Sequence, residues 1–337
     1  MPTLYLSDQY SIVRKDGDCL LVEPPKNGRA GAAQKARVPL TKVEDVVVLG
    51  NITLTAGAVR ALMEQGVDVS FLSRGGRFLG RLSAGFTKNS QLRIAQFRAH
   101  LDDEARLEVA RRFVTGKLSN MRAMLTRYRR RRGLEELDGP IRAIRRATRE
   151  AEGAPTLGVL LGQEGTASAA YFDGFKLLLK GGWRFPGRHR RPPTDPVNAL
   201  LSYGYTVLTG RAAAILQAVG FDPYVGFLHG PHYGRPALAL DLVEEFRALV
   251  VDSTVLTCIN TAALKPEDLE EEAGSWRLTR QAKAVFLARL EARLDEELTH
   301  PVFGYKVPYR RCMELQARLL GKWLTGEIPY YPPLTVR

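Results

Sequence analysis

Cysteine and long apolar runs are both scarce in this chain, and each scarcity restricts what the protein can be. Cys19, Cys258 and Cys312 are an odd number, at spacings that fit neither a disulfide framework nor a zinc knuckle. No apolar run approaches the ~20 residues that a membrane-spanning helix requires, and the first residues lack the basic start of a secretory signal. We therefore expect a soluble cytoplasmic protein, with no membrane partner, whose cysteines pack as small apolar side chains.

Acidic side chains are also in deficit. The 337 residues include 36 Asp and Glu against 49 Lys and Arg, which gives a formal net charge of +13. This balance favours a polyanion such as nucleic acid as partner, although solubility alone is the competing explanation. The length is sufficient for a full core and indicates two domains.

Histidine is absent from the first 85 residues, and the charged residues there are scattered. Turn residues separate short β-rich runs, and the pair Gly75-Gly76 predicts a hairpin between 71–72 and 78–79. One helix over 55–65, capped by Thr55, interrupts the pattern. The predicted strands are 4–6, 10–13, 19–22, 46–49 and 69–72. Residues 1–85 are therefore predicted to form a small β domain used for packing or self-association.

From Phe86 nearly to the end, apolar residues recur at helical spacing. The predicted helices are 92–99, 107–132, 157–179, 196–219, 241–250 and 276–298. The fold class is therefore α+β, with the small β domain followed by a larger all-α domain over 86–337. Its arginine-rich stretch, 127–149, is either a solvated helical hairpin or a phosphate contact. The Pro-rich segment 328–333 is predicted to lie extended against the surface or a partner.

The most informative stretch, 229–245, places two histidines on a Gly/Pro loop ahead of a helix with three carboxylates. Asp241, Glu244 and Glu245 fall at i, i+3 and i+4, so we expect their carboxylates to share one helix face. His229 and His232 have the spacing of half a zinc site, but no cysteine pair or further histidine cluster completes it. One histidine is therefore interpreted as a ligand, and the other as a loop or phosphate contact.

Glu164 is a second acidic signal, because it lies alone between two glycines in an otherwise apolar and small-residue helix. Burying a single carboxylate there is costly unless a cation or an arginine compensates it. From this motif alone a salt bridge is favoured. Considered together with His229 and the pair Asp241 and Glu244, the residues offer an O, N, O donor set that suits Mg²⁺ or Mn²⁺.

Arginines alternate with aromatic residues on the Pro/Gly loop 181–191, a composition that suits backbone phosphates and base stacking. The alternatives are a rigid loop and, for arginines beside the acidic helix, local neutralisation of its carboxylates. In either case Thr194 or Asp195 is expected to cap the helix that begins at Pro196. The candidate DNA contacts are Arg188, Arg190, Arg191, Arg235 and Arg247.

Four motifs follow one another along the chain. They are Gly162-Gln-Glu164-Gly-x-Ala-Ser-x-x-Tyr-Phe, Arg190-Arg-Pro-Pro-x-Asp-Pro-Val-Asn-Ala-Leu-Leu, Gly226-Phe-Leu-His229 and Leu240-Asp-Leu-Val-Glu-Glu-Phe-Arg247. In this order they resemble the CRISPR-associated endonuclease that serves as the adaptation integrase, the first-numbered protein of that system. The resemblance covers nearly the whole chain, because 37–40, 48–51 and 75–77 match as well. Four motifs at compatible separations are far more specific than any one of them.

This resemblance implies a metal-dependent DNA endonuclease and integrase with an N-terminal β domain and a helical catalytic domain. It implies a homodimer that binds a small dimeric partner, the second CRISPR-associated protein. Together they insert spacer-precursor DNA into the CRISPR array, by attack of a 3′-hydroxyl on a phosphodiester.

The family's Glu, His and Glu-or-Asp ligands carry over onto Glu164, His229 and Glu244, with Mg²⁺ or Mn²⁺ as cofactor. The resemblance makes these three residues the expected catalytic set. Asp241, one turn earlier, is kept as a supporting acid. The rival functions are a non-catalytic DNA-binding scaffold and a stand-alone metal-dependent nuclease.

Overall fold

The chain divides into two compact units, Met1–Lys88 and Asn89–Arg337. The computed structural model describes residues 3–25, 35–76, 78–82, 89–189 and 192–336. Arg77, Arg190 and Arg191 lie outside the described residues.

Over its described residues, the N-terminal unit consists of two four-stranded sheets and one α-helix. Its elements are β1 (Thr3–Leu6), β2 (Ile12–Asp16), β3 (Cys19–Glu23), β4 (Ala36–Pro39), β5 (Asp45–Leu49), β6 (Thr53–Leu54), α1 (Ala56–Glu64), β7 (Asp68–Leu72) and β8 (Phe78–Leu82). One sheet has the order β1-β5-β7-β8, with β1, β5 and β7 parallel and β8 antiparallel to β7. The other has the order β4-β3-β2-β6, in which only β2 and β6 are parallel.

Apolar side chains from both sheets and from α1 form the core of this unit, among them Val13, Leu20, Leu62 and Val69. β5 is buried along most of its length, as expected for a strand inside a parallel array. The predicted cap of α1 is confirmed, since the Thr55 hydroxyl accepts a hydrogen bond from the backbone N–H of Ala58. The predicted hairpin is also present, as β7 and β8.

The C-terminal unit is mostly helical. Its elements are α2 (Ser90–Leu101), α3 (Asp103–Arg132), α4 (Asp138–Glu152), α5 (Leu157–Lys176), α6 (Pro196–Val219), α7 (Ala237–Glu244), a π-helical turn (Arg247–Asp252), α8 (Ser253–Asn260), β9 (Leu269–Glu272), β10 (Ser275–Leu278), α9 (Arg280–Asp295), β11 (Glu297–Thr299), β12 (Lys306–Pro308) and α10 (Tyr309–Leu324). Helix α3 packs against α4, α5 and α7, and α6 packs against α7. Among the described residues, no helix is both long and apolar enough to cross a bilayer.

The all-α expectation for this unit is too simple, because it contains the antiparallel hairpins β9–β10 and β11–β12. The helix predicted over 276–298 is wrong at both ends, since Trp276 lies in β10 and Leu298 in β11. The helix α9 between them begins where the Thr279 hydroxyl accepts from the N–H of Ala282. A left-handed Gly274 turns the chain just before β10 and separates it from β9.

Helix α6 has the predicted bounds, and its ends show why. The carboxylate of Asp195 accepts from the N–H of Asn198 at 2.8 Å, so Asp195 is the cap. Gly220, in the left-handed conformation, ends the helix. The arginine-rich stretch forms the hairpin of α3 and α4, in which Arg129 binds both oxygens of Asp138 at 2.8 and 3.0 Å.

Candidate active site

Asp241 on α7 organises the loop that carries His229. Its buried carboxylate accepts hydrogen bonds from the backbone N–H groups of Phe227, Leu228 and His229 at 2.6 to 3.0 Å. The same carboxylate lies 2.6 Å from Nδ1 of His229. Gly226 permits this approach, because a Cβ there would lie 2.7 Å from Asp241 Oδ2. With Nδ1 engaged, Nε2 is the ring nitrogen left available, an arrangement by which a carboxylate usually orients a metal-binding histidine.

Side chains of α2 and α3 also form hydrogen bonds with the backbone of this loop. The fully buried side chain of Gln96 on α2 makes three hydrogen bonds of 2.7 to 2.9 Å with the backbone of Asp222 and Val225. Arg106 on α3 donates from Nε to the carbonyl of Phe227 at 2.9 Å. The segment that leads to the histidine is therefore fixed by side chains from α2, α3 and α7, although Gly/Pro loops are commonly mobile.

Glu164 on α5 and Glu244 on α7 meet at Lys117, a buried lysine of α3. Lys117 pairs with Glu164 and lies 2.7 Å from Oε2 of Glu244. Ser168, one turn after Glu164, donates to Glu164 Oε1 at 2.8 Å. Arg247 lies 3.2 Å from the other oxygen of Glu244. This contact matches the local-neutralisation alternative for Arg247.

Both glutamates are ionised at neutral pH. Burial, the largest single effect, acts to raise the pKa of Glu164, but the charge of Lys117 and the hydrogen bonds from Lys117 and Ser168 together lower the pKa. Burial also opposes ionisation of Glu244, whereas Arg247 and Lys117 together lower its pKa to about 2. His229 adds to this effect on Glu244, so the imidazole lies within electrostatic range of that carboxylate.

The donor types of Glu164, His229 and Glu244 fit a divalent cation. Oε2 of Glu244 is buried, and the contact at this oxygen is the ion pair with the ammonium group of Lys117 at 2.7 Å. Over the described ranges, no group of three or more His, Cys, Asp or Glu already stands at metal-binding distance. The ammonium group of Lys117 supplies the positive charge between the carboxylates. The assignment of the three ligands remains a prediction.

The expectation that three carboxylates share one face of α7 is wrong. Glu245 faces away from Glu244 and accepts from the hydroxyl of Tyr331 at 2.6 Å and the N–H of Leu334 at 2.7 Å. Burial raises its pKa to about 8, against these hydrogen bonds. The α-helix ends at Glu244 and a π-helical turn begins at Arg247, so the regular i, i+3, i+4 geometry does not extend past this point.

Arg188 lies beside the same cluster and is held by neighbouring side chains. It donates to Oδ1 of Asn198 at 2.7 Å, and its guanidinium lies 5.4 Å from the ring centre of Tyr205. Arg247 lies 4.7 Å from that ring. The Tyr205 hydroxyl in turn donates to the buried Asp252 at 2.5 Å, where burial raises the carboxyl pKa to about 6.

The other predicted DNA contacts, Arg235, Arg190 and Arg191, have no described side-chain contact with Glu164, His229 or Glu244. Arg235 lies on the turn that follows His232, with its N–H bonded to the carbonyl of that histidine at 3.0 Å. His232 is exposed. Arg190 and Arg191 fall outside the described residues. DNA contact by any of these arginines remains a prediction.

A family model described as CRISPR associated protein Cas1 matches residues 4–292. The chain belongs to the Cas1 family. It is 39% identical over 334 residues to the CRISPR-associated endonuclease Cas1 3 of Thermus thermophilus, covering 99% of this chain and 97% of that protein. It is 42% identical over 342 residues to a Cas4/Cas1 fusion of Geobacter sulfurreducens, covering 99% of this chain. The chain spans 60% of that fusion's length.

Solved structures share the fold. A casposase bound to integration product is 25% identical, with a TM-score of 0.86 over 97% of this chain and 92% of that one. The chain of a Cas6-RT-Cas1–Cas2 complex is 25% identical, with a TM-score of 0.77 over 99% of this chain and 36% of that one. The predicted class, a DNA endonuclease and integrase of CRISPR adaptation, is confirmed through these Cas1 endonuclease and integrase relatives. Such a family implies a divalent metal ion.

Proposed function

We propose that this Cas1 family member joins the 3′-hydroxyl ends of spacer DNA to the CRISPR array, using Mg²⁺ or Mn²⁺. The observation that carries the proposal is the pairing of two ionised glutamates, Glu164 and Glu244, around a buried lysine beside a carboxylate-held histidine. In the reaction, a new bond forms between the attacking 3′-oxygen and the target phosphorus. The bond from that phosphorus to the target strand's own 3′-oxygen breaks, and the attacking hydroxyl loses its proton.

Glu164, His229 and Glu244 would hold the cation, which would supply stabilisation of the negative charge that develops during phosphodiester transfer. Asp241 keeps the imidazole of His229 oriented through its bond to Nδ1. Lys117 and Arg247 bring two positive charges next to the acids, where they can offset charge on the phosphate.

The surface next to Glu164 is open to a DNA backbone. Gly162 and Gly165 flank the carboxylate on α5, and a Cβ on either would meet nothing within 4 Å. Glu164 itself remains 15% exposed. Phosphates can therefore approach the helix closely at this point. Arg188, whose guanidinium lies over the Tyr205 ring that Arg247 also contacts, is the arginine that would receive them.

For partners, we propose DNA, the second CRISPR-associated protein and a second copy of this chain. A relative bound to an integration product and another in a complex with Cas2 support the first two. The second copy rests on the small size of the N-terminal unit, which is marginal for an isolated core.

Strand transfer of a labelled duplex into a supercoiled plasmid tests this proposal. Joined product should require Mn²⁺ or Mg²⁺, and Glu164→Ala, His229→Ala and Glu244→Ala should each abolish it. Asp173→Ala, which removes an exposed carboxylate from the same helix α5, is the matched control and should leave product formation unchanged.

Two outcomes would replace the proposal. Plasmid nicking without joined product would indicate a stand-alone nuclease, and DNA binding without either product would indicate a scaffold. If Glu244→Ala retained full turnover while Asp241→Ala lost it, the assignment of Glu244 as the third ligand would be wrong.

A further inference from the structure

Residues 331–336, which we call the C-terminal strap, lie against α3 and the end of α7, the helices that carry Lys117 and Glu244. The strap has no helical or strand pairing, yet Tyr331 is 1% exposed and Leu334 is fully buried. Such an irregular segment normally lies on the surface. Its burial therefore requires specific anchors, and two polar side chains provide them.

The first anchor is Glu245, which directly follows Glu244. It accepts the Tyr331 hydroxyl at 2.6 Å on one oxygen and the Leu334 N–H at 2.7 Å on the other. Gln316 on α10 donates to Glu245 at 3.0 Å and to Tyr331 Oη at 2.8 Å. Hydrogen bonds of Glu245 therefore connect the end of α7 to the strap and to α10.

The second anchor is Asn120 on α3, one turn after Lys117. Its amide nitrogen donates at 2.8 Å to the carbonyls of both Leu334 and Glu245. Its amide oxygen accepts from the N–H of Val336 at 3.0 Å. Asn120 is fully buried, so each of these bonds is made away from competing water.

Close packing completes the arrangement at Gly116, the residue before Lys117. A Cβ on Gly116 would lie 2.8 Å from Cβ of Pro333 and 3.3 Å from Cγ of Glu245. The strap therefore packs against Gly116, the residue before Lys117 on α3. It also forms hydrogen bonds with Glu245, the residue after Glu244 at the end of α7.

We propose that the strap sets the relative position of Lys117 and Glu244 for strand transfer, with Tyr331 and Asn120 as positioning residues. This inference rests on the proposed function. The strap contacts neither charged group of the pair directly. It acts through Glu245 and Gly116, which are the residues next to Glu244 and Lys117 in the chain. A displaced strap would therefore shift both Glu244 and Lys117.

The test uses the full-length protein carrying Tyr331→Phe, which keeps the ring and removes the hydroxyl that Glu245 accepts. Asn120→Ala is the second variant. Tyr330→Phe is the matched control, since Tyr330 is half exposed and its ring lies 5.1 Å from the Arg112 guanidinium. Strand transfer is measured at saturating duplex and Mn²⁺, well below each variant's melting temperature. Mn²⁺ affinity of the DNA-free proteins is measured by calorimetry.

We expect kcat to fall about tenfold or more in both strap variants, with the KM for DNA unchanged and Mn²⁺ affinity reduced by a similar factor. The control should match the parent chain. A lower melting temperature with unchanged kcat and Mn²⁺ affinity would overturn the proposal, because the strap would then only stabilise the fold. If the parent chain binds Mn²⁺ but joins no DNA, the proposed function fails, and the Mn²⁺ comparison alone decides the role of the strap.

Discussion

Lys117 balances two carboxylates that the fold brings together away from water. Lys117→Met should destabilise the metal-free protein by about 3 to 5 kcal/mol, because Glu164 and Glu244 would then face each other without the ammonium group. Mn²⁺ should restore part of the loss. Thermal unfolding with and without Mn²⁺ measures both effects.

Lys176→Met is the control for this prediction, since Lys176 forms an exposed pair with Asp173 on α5 and should contribute less than about 1 kcal/mol. Equal melting temperatures for the two variants would contradict a balancing role for Lys117.

Asp252 should give the protein a pH-dependent stability. Its folded pKa, about 6, lies above the usual value of 3.8 for an unfolded chain. Between these values the folded state keeps a proton that the unfolded state has lost, so stability falls as pH rises, by up to about 1.4 kcal/mol per pH unit. Asp252→Asn should remove this loss. Melting temperatures at about pH 4 and pH 7 should differ less in the variant than in the parent chain, and equal differences would exclude Asp252 as the source.

Among the secondary-structure elements, α6 depends on the cap at its N-terminus. Asp195→Ala should cost about 0.5 to 2 kcal/mol, because the N–H of Asn198 would lose its acceptor inside the protein. Thr194→Ala, at the adjacent exposed position, should have little effect. Urea unfolding of the two variants makes the comparison. Equal midpoints would show that the cap contributes nothing to stability.

Sequence periodicity predicts elements well where they are capped, as with α6 and with α1 behind Thr55. Length alone is not enough, since the 16-residue helix α10, which has no side-chain cap, was not predicted. It fails for β11 and β12, because strands of three residues are too short to show alternation. Lys117 was missed for a related reason, since a lone lysine on a long helix usually faces solvent. Only its position in the buried stripe of α3, beside Leu118, could have indicated otherwise.

The motifs at Glu164 and His229 were predictable because their Gly-rich surroundings are unusual. The separate environment of Glu245 was not predictable, because the local sequence contains no pattern that indicates the end of α7 at Glu244 and the π-helical turn that follows. The Pro-rich tail was predicted to lie extended against the surface or a partner, but it bends over 328–330 and buries Tyr331. Its anchors at Asn120 and Glu245 are more than 80 residues away along the chain, and local patterns carry no information about such pairings.

At the scale of the whole molecule, we predict a homodimer joined mainly through residues 1–85, with one candidate active site in each helical unit. An N-terminal unit of this size gains stability by packing against a second copy. Light scattering on the full-length protein and on a chain starting near Ser90 checks this. A monomeric full-length protein, or a truncated chain that still dimerises tightly, would contradict it.

The π-helical turn between α7 and α8 has a consequence for how this chain tolerates change in length. A π turn holds one residue more than an α turn, and each residue of a helix contributes about 100° of rotation. Because the extra residue is taken up within one turn, deleting a single residue within 248–251 would restore an α turn and leave α8 in nearly the same rotational phase relative to α7. Asp252 would then lie one residue closer to Glu244 along the chain. A single deletion should therefore be accepted more readily in this segment than inside α7, where it would rotate everything that follows by about 100°.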